Sequence, residues 1–383
     1  MADDRLFNVQ RRERLMEELR RHGAVRVKDI AQLLGVSELT VRRDIAALAT
    51  QNLLTKVHGG ATLPTELDSA PPRRSRPAVS RFTIGMVVPS LDYYWPPIVG
   101  GARTAAAAQG VHIQLRGSSY DPAEDRRQIS RLIEAQQVQG LLLAPTLDGP
   151  GADEMIDWIA KLPVPVILVE RQTPRWRRTH PLLEWVRSDH ALGLELAVRH
   201  LYDHGHRRLG LVLSKGSPTS AHLAEGWESA CADLGLPNDL VLRDTVGLDQ
   251  PGHREVIAQL LARCRKTRTT ALIVHSDPDA MSIAQYCAEQ GLVIPDDLAL
   301  IAYDDEVAGL AEPAMTAIRP GKPQVGRVAV EMMVSRLLEG KRRPTQRVLI
   351  IPELIIRNSS VPRPGVDSGG LRFPAPVREL QEG

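Results

Sequence analysis

From Phe82 onward, short apolar runs alternate with longer stretches of helical character, and this rhythm leaves few folds open. TIGMVV, VHIQLR, GLLLA and VPVILV have the length of strands and enough apolar content to be buried. Between them lie 97–109, rich in small residues, the charged amphipathic 122–137, and 152–161. Strands alternating with helices of about 10–15 residues predict a parallel sheet covered on both faces. The pattern stops over 171–184 and then resumes. WVRSD leads into a helix at 190–204, followed by RLGLVLS, a helix near 222–234, LVLRDTV, a helix near 252–265, TALIVHS, a helix near 279–290 and LALIAYD. Two such runs predict two α/β lobes. Ligands of these sheets sit beyond the carboxyl ends of the strands, which places a site in the cleft between the lobes.

A different pattern occupies Val25–Ala61. Ile30, Leu33 and Leu34 give a short helix one apolar stripe, Gly35 ends it, and Ser37 can cap the next helix. In that second helix Val41, Ile45 and Leu48 face inward. At about 100° per residue Arg43 points almost directly away from them, flanked by Leu39, Thr40 and Ala47, with Arg42 to one side. Arginine can bridge guanine or hold phosphate, and an apolar group can meet a thymine methyl, so this face suits a major groove. Alternation from Leu53 to Val57 and then Gly59-Gly60 predict a two-stranded wing, from which Lys56 and His58 can reach backbone phosphate.

Charge is unevenly spread. Residues 1–81 hold 15 Lys+Arg against 10 Asp+Glu, a net +5, whereas the remainder is −3. A basic front on a slightly acidic body fits one module that meets polyanion and another that meets something else. Residues 62–81 are rich in Pro, Ser and Arg and read as a linker. Its Arg73, Arg74 and Arg76 can add phosphate contacts or simply be solvated. From Pro362 to the end the composition is that of a disordered extension. Cys231, Cys264 and Cys287 are too widely spaced for a metal or redox pair and suit reduced, cytoplasmic thiols. The N-terminus lacks the apolar core of a signal peptide, and no apolar run spans a bilayer. No dinucleotide, Walker, nucleophile-elbow or HExxH motif is present, so no cofactor, metal or catalytic group is expected.

Two resemblances extend this reading. The upstream helix with Arg14 and Leu19, then VSELTVRRDIAAL and KVHGGA, resemble the DeoR family of bacterial repressors over roughly the first sixty residues. The resemblance implies Ser37, Thr40, Arg42 and Arg43 at DNA. PSLDYYWPPIVGGARTAA, RSDHALGLELAVRHLYDHGHRRLGLV, HSDPDAMSIAQYCAEQGLVIPDDLALIAYDD and VLIIPELIIRNSS are similar to the effector-binding domain of the LacI/GalR repressors over roughly 82–361. That is the fold of type I periplasmic sugar-binding proteins. It implies that part of 320–339 returns to the first lobe and the strands near 347–357 to the second.

The expected chain is thus a winged helix-turn-helix at 1–61 followed by a two-lobed, periplasmic-binding-protein-like α/β domain with parallel sheets. The second resemblance also implies effector contacts. Tyr93, Tyr94 and Trp95 follow the first strand, where an aromatic face can stack on a sugar or a nucleobase; they can equally plug the cleft. Asp189 can accept ligand hydroxyls or cap its helix. Ser276 stands where the family has Asn, Asp304 where it contacts ligand, and Asp305 is read as structural. Leu223 replaces a ligand-binding arginine, with His222 or Ser220 as substitutes, which argues against borrowing a relative's sugar. The expectation is a cytoplasmic, homodimeric repressor whose partners are operator DNA and a sugar, polyol or nucleoside. The alternative is a transport solute-binding protein with an unusual N-terminal extension.

Overall fold

The computed structural model describes residues 14–15, 18–19, 24–50, 54–57, 60–62, 81–149, 151–173, 183–245 and 252–361. The chain divides into two compact units, Met1–Ala78 and Val79–Gly383. The linker 63–80 and the segment from 362 lie outside the described residues.

In the first unit β1 (Ala24–Arg26) leads into α1 (Val27–Leu34) and α2 (Glu38–Thr50), followed by β2 (Thr55–Val57) and β3 (Gly60–Thr62). Leu15, Leu19, Ile30, Leu34, Val41, Ile45 and Leu48 form one buried cluster, as the helical spacing predicts. Gly35 adopts φ 64° and closes α1. The wing differs from the expected two-stranded form. Its order is β1-β3-β2, with both pairings antiparallel, because Val25 and Arg26 join it as a third strand. Gly60 makes this possible: a Cβ there would overlap the Val25 carbonyl.

The second unit holds two six-stranded sheets. The first lobe contains β4 (Phe82–Val88), β5 (Val111–Gly117), β6 (Gly140–Leu143), β7 (Val166–Val169), β8 (Glu184–Ser188) and β14 (Arg347–Ile350) in the order β14-β8-β7-β6-β4-β5, all parallel. The second contains β9 (Leu209–Ser214), β10 (Val241–Thr245), β11 (Ala271–His275), β12 (Ala299–Tyr303), β13 (Thr316–Arg319) and β15 (Glu353–Ile355) in the order β10-β9-β11-β12-β13-β15. Only its β13–β15 pairing is antiparallel.

Helices cover both faces of each sheet. In the first lobe α3 (Trp95–Ala108) and α10 (Lys322–Glu339) cover one face, and α4 (Pro122–Gln136) with α5 (Ala152–Ala160) the other. In the second, α6 (His190–Asp203) and α7 (Thr219–Leu234) oppose α8 (His253–Thr267) and α9 (Asp277–Glu289). Small residues in α3 serve close packing, since a Cβ on Gly101 would overlap the Pro323 carbonyl and one on Gly326 that of Ile98.

Two sequence expectations need correction. WVRS belongs to the first lobe as β8, and the chain crosses over after Ser188. Its Glu184 is held there by Arg336 and Arg343, and Val186 packs in the first-lobe core. The closing strands divide: β14 joins the first lobe and β15 the second, with Pro352 between them. As expected, α10 returns to the first lobe.

Candidate functional site

The DNA-facing surface is built on α2. Ser37 accepts the Thr40 amide at 3.2 Å, and its hydroxyl lies 2.9 Å from that of Thr40, so the cap is formed. Arg42 and Arg43 are exposed. Arg42 meets Glu38 at 3.3 Å, an exposed pair of the kind worth little and easily exchanged for phosphate. Arg43 has no side-chain partner among the described residues. Leu39 lies in the same helix and Lys56 in β2, while His58 falls outside the described residues. Arg43→Ala is expected to weaken operator binding by about 1–3 kcal/mol while non-specific affinity changes less. Gel-shift titrations against operator and random duplex check this; an equal loss on both would make Arg43 a phosphate contact only.

Between the lobes, a cavity is lined from loops that follow strand carboxyl ends. Tyr93, Tyr94 and Trp95 come after β4, Tyr120 after β5, Glu170 and Arg171 after β7, and Ser217, Pro218 and Thr219 after β9. Ser276 follows β11 and Asp304 follows β12. A second cavity shares Glu170, Arg171, Pro218 and Thr219 with the first and adds Asp148, Arg187, His190 and His222 among others.

Asp304 is 3% exposed, and its Oδ1 is buried without a hydrogen-bond partner among the described residues. Burial pushes its carboxyl up to about 8, opposed by the Lys322 ammonium and reinforced by Asp277 and Glu306. Its φ of 113° is a costly conformation for a residue with a side chain. Asp277 holds it there: its buried carboxylate accepts the amides of Asp305, Glu306, Val307 and Ala308 at 2.7–3.2 Å. Asp305 is structural, as read from the sequence, being paired with Arg319 and Arg357.

Glu170 ties the lobes together. It accepts from the Tyr94 hydroxyl at 3.1 Å and from the Ser188 amide and hydroxyl at 3.1 and 2.8 Å. His190 Nε2 stands 3.4 Å away, and the other ring nitrogen meets the Tyr303 hydroxyl at 2.9 Å. Burial opposes the charged carboxylate, but contacts with His190 and Ser188 hold Glu170 below its usual range.

Known proteins match both units. Residues 11–66 match the model of a DeoR-like helix-turn-helix domain, and residues 198–360 that of a periplasmic binding protein-like domain. The chain joins a DeoR-like helix-turn-helix domain to a periplasmic binding protein-like domain. Over 87% of its length it is 27% identical to the ribose operon repressor of Escherichia coli K12, covering 99% of that protein. It is 26% identical to the arabinose metabolism transcriptional repressor of Geobacillus stearothermophilus over 87% of this chain and 90% of that one. Among solved structures, a LacI-family regulatory protein from Chloroflexus aggregans superposes with TM-score 0.62 at 24% identity, over 73% of this chain and 98% of the other. A CelR–cellobiose complex does so with TM-score 0.61 at 22% identity, over 87% and 99%. These likenesses agree with the two-sheet fold.

Within the periplasmic binding protein-like domain the predicted residues part company. Tyr93 lines the cavity and is partly exposed. Tyr94 is occupied by Glu170, with Lys322 Nζ 4.7 Å from its ring centre. Trp95 is 2% exposed and its indole N–H donates to the Tyr120 hydroxyl at 3.4 Å, so it forms wall rather than an open stacking face. Ser276 lines the cavity while capping α9 in a reciprocal box with Asp279. Asp189 caps α6 by accepting the Leu192 amide at 3.3 Å and lines neither cavity. His222 lines the second cavity, stacked on His190, and burial lowers its pKa to about 4. Leu223, where the relatives' arginine was expected, is wholly buried in the second-lobe core. Ser220 is engaged by the Ser214 carbonyl.

Glu170, Arg171, Tyr120 and Thr219 were not anticipated. The signal for the first two was present: VILVER places adjacent charges directly after an apolar strand, where ligands bind. His206 and His204 serve the fold through Thr270 and the His200 carbonyl. No described helix is long and apolar enough to cross a membrane.

Proposed function

We propose that this DNA-binding transcription regulator is a cytoplasmic repressor, homodimeric on a symmetric operator, whose affinity is set by a polyhydroxylated small molecule held between its lobes. The observation that carries the ligand assignment is the buried, unpartnered Asp304 Oδ1 in an interlobe cavity that also presents Tyr93. A group that titrates near neutrality can both donate to and accept from hydroxyls. The tyrosine ring offers an apolar face to the C–H side of a sugar or to a base. The relatives named above, repressors of ribose and arabinose metabolism, support a carbohydrate-like effector. Two recognition helices on one symmetric site require a dimer, and lobe closure then alters how the two are presented.

A thermal-shift screen of the full chain against sugars, polyols and nucleosides tests the proposal. At a hundredfold excess over its dissociation constant the effector is expected to add about 2.7 kcal/mol of stability. Tyr93→Ala and Asp304→Asn are expected to remove most of that gain. A ligand whose stabilisation survives both substitutions binds elsewhere.

A further inference from the structure

Arg171 stands where the two cavities meet and lines both. It is only 9% exposed. Its Nε donates to the Pro145 carbonyl and one terminal nitrogen to the Glu170 carbonyl, each at 2.8 Å. The other terminal nitrogen, Nη2, has no acceptor, and no carboxylate lies within ion-pair distance among the described residues. The neighbouring carboxylate of Glu170 is already engaged by Tyr94, Ser188 and His190. The guanidinium is therefore anchored by two carbonyls, which fix its plane without neutralising it. A buried charge held in this way is costly unless something brings an opposite charge to it.

We propose that the effector is an anionic polyol, with its carboxylate or phosphate seated on Arg171 at the junction of the two cavities. The inference rests on the interlobe cleft being the effector site. Its polyol portion faces Tyr93, Ser276 and Asp304 in the first cavity. Asp304 does not repel the anion near neutral pH, because burial keeps most of its carboxyl protonated there. On the second-cavity side the anion meets His222, which stays neutral and can donate or accept, and Arg187, whose Nε and Nη1 are bound to Gln172 and the Ser188 carbonyl. Asp148 lines the same cavity, which favours one compact anionic group at Arg171 over a ligand charged along its length.

The experiment is a thermal-shift and calorimetric titration of the full chain at pH 7 with D-glucose, D-gluconate, D-glucose 6-phosphate, D-ribose and D-ribose 5-phosphate, and with inorganic phosphate alone. At least one anionic member is expected to bind tenfold or more tightly than its neutral counterpart. The carboxylate and phosphate arms show which group is used. Arg171→Gln is expected to abolish that preference while leaving the affinity for the neutral sugar within about twofold; a merely structural role would weaken both alike. If Arg171→Gln does not fold, Arg171→Lys, which keeps the charge but loses the fork, is expected to lose most of the preference. Neutral sugars binding as well as both anions, or an unchanged preference in the variants, would overturn the inference and leave the cleft assignment standing. If neither neutral nor anionic polyols bind, both fall.

Discussion

Asp277→Ala is expected to destabilise the periplasmic binding protein-like domain by on the order of 4 kcal/mol, about 1 kcal/mol for each of four amides left without an acceptor. Those amides belong to Asp305, Glu306, Val307 and Ala308, and the Asp277 side chain is fully buried beneath them. The loss reaches the site, because the same four bonds fix the turn that carries Asp304 at φ 113°. Asp277→Asn keeps one acceptor oxygen and is expected to lose roughly half as much. Ligand response should disappear in both variants at temperatures where the fold persists. Urea unfolding followed by tryptophan fluorescence isolates this domain, since all five tryptophans lie at or beyond residue 95. A loss below about 1 kcal/mol in the alanine variant would show that water replaces the carboxylate and that the turn holds itself.

Much of the fold was legible because parallel strands buried on both faces read as apolar runs whatever their neighbours. The same property hid which sheet each run joins. WVRS and VLII are placed in the first lobe by distant contacts, Glu184 with Arg336 and Arg343 for the one and the pairing of β14 with β8 for the other. No local pattern encodes those contacts. Ser37, Gly35 and the Val41-Ile45-Leu48 stripe were readable because capping and helical period are local rules. The cleft was readable as a location but not as a set of side chains. Three consecutive aromatics diverge where a turn meets a helix: Tyr93 faces the cavity, Tyr94 bonds Glu170, and Trp95 turns into the core. Arg171 compensates in kind, though not in place, for the arginine missing at Leu223.

Stability of the same domain is expected to peak near pH 6.5 and fall on both sides. His200, His206 and His222 are lowered to about 4 and His275 to about 3, in each case chiefly because burial penalises the cation. His206 Nε2 and His275 Nδ1 are buried without partners, so protonation would place an unmatched N–H in the core. Between those values and 6.5 the unfolded chain binds more protons than the native one, so stability is lost as pH falls below 6.5. Asp304 works in the opposite sense. From 3.8 to about 8 the native state holds a proton that the unfolded state has released, so stability declines as pH rises through that range. Burial raises Asp277 and Asp279 in the same direction. Below 6.5 four histidines outweigh Asp304; above it they are neutral in both states, and the decline through Asp304 is exposed. Each group contributes about 1.4 kcal/mol per pH unit while its proton is held in only one state, so the fall from pH 6.5 to 8 is about 2 kcal/mol. Urea titrations of wild type and Asp304→Asn at pH 5, 6.5 and 8 separate the two limbs. The variant should keep the acid limb and lose the alkaline one. Because the carboxyl responsible also faces the cavity, a ligand that hydrogen-bonds its protonated form should extend the wild-type plateau above pH 6.5 and leave the variant's profile unchanged.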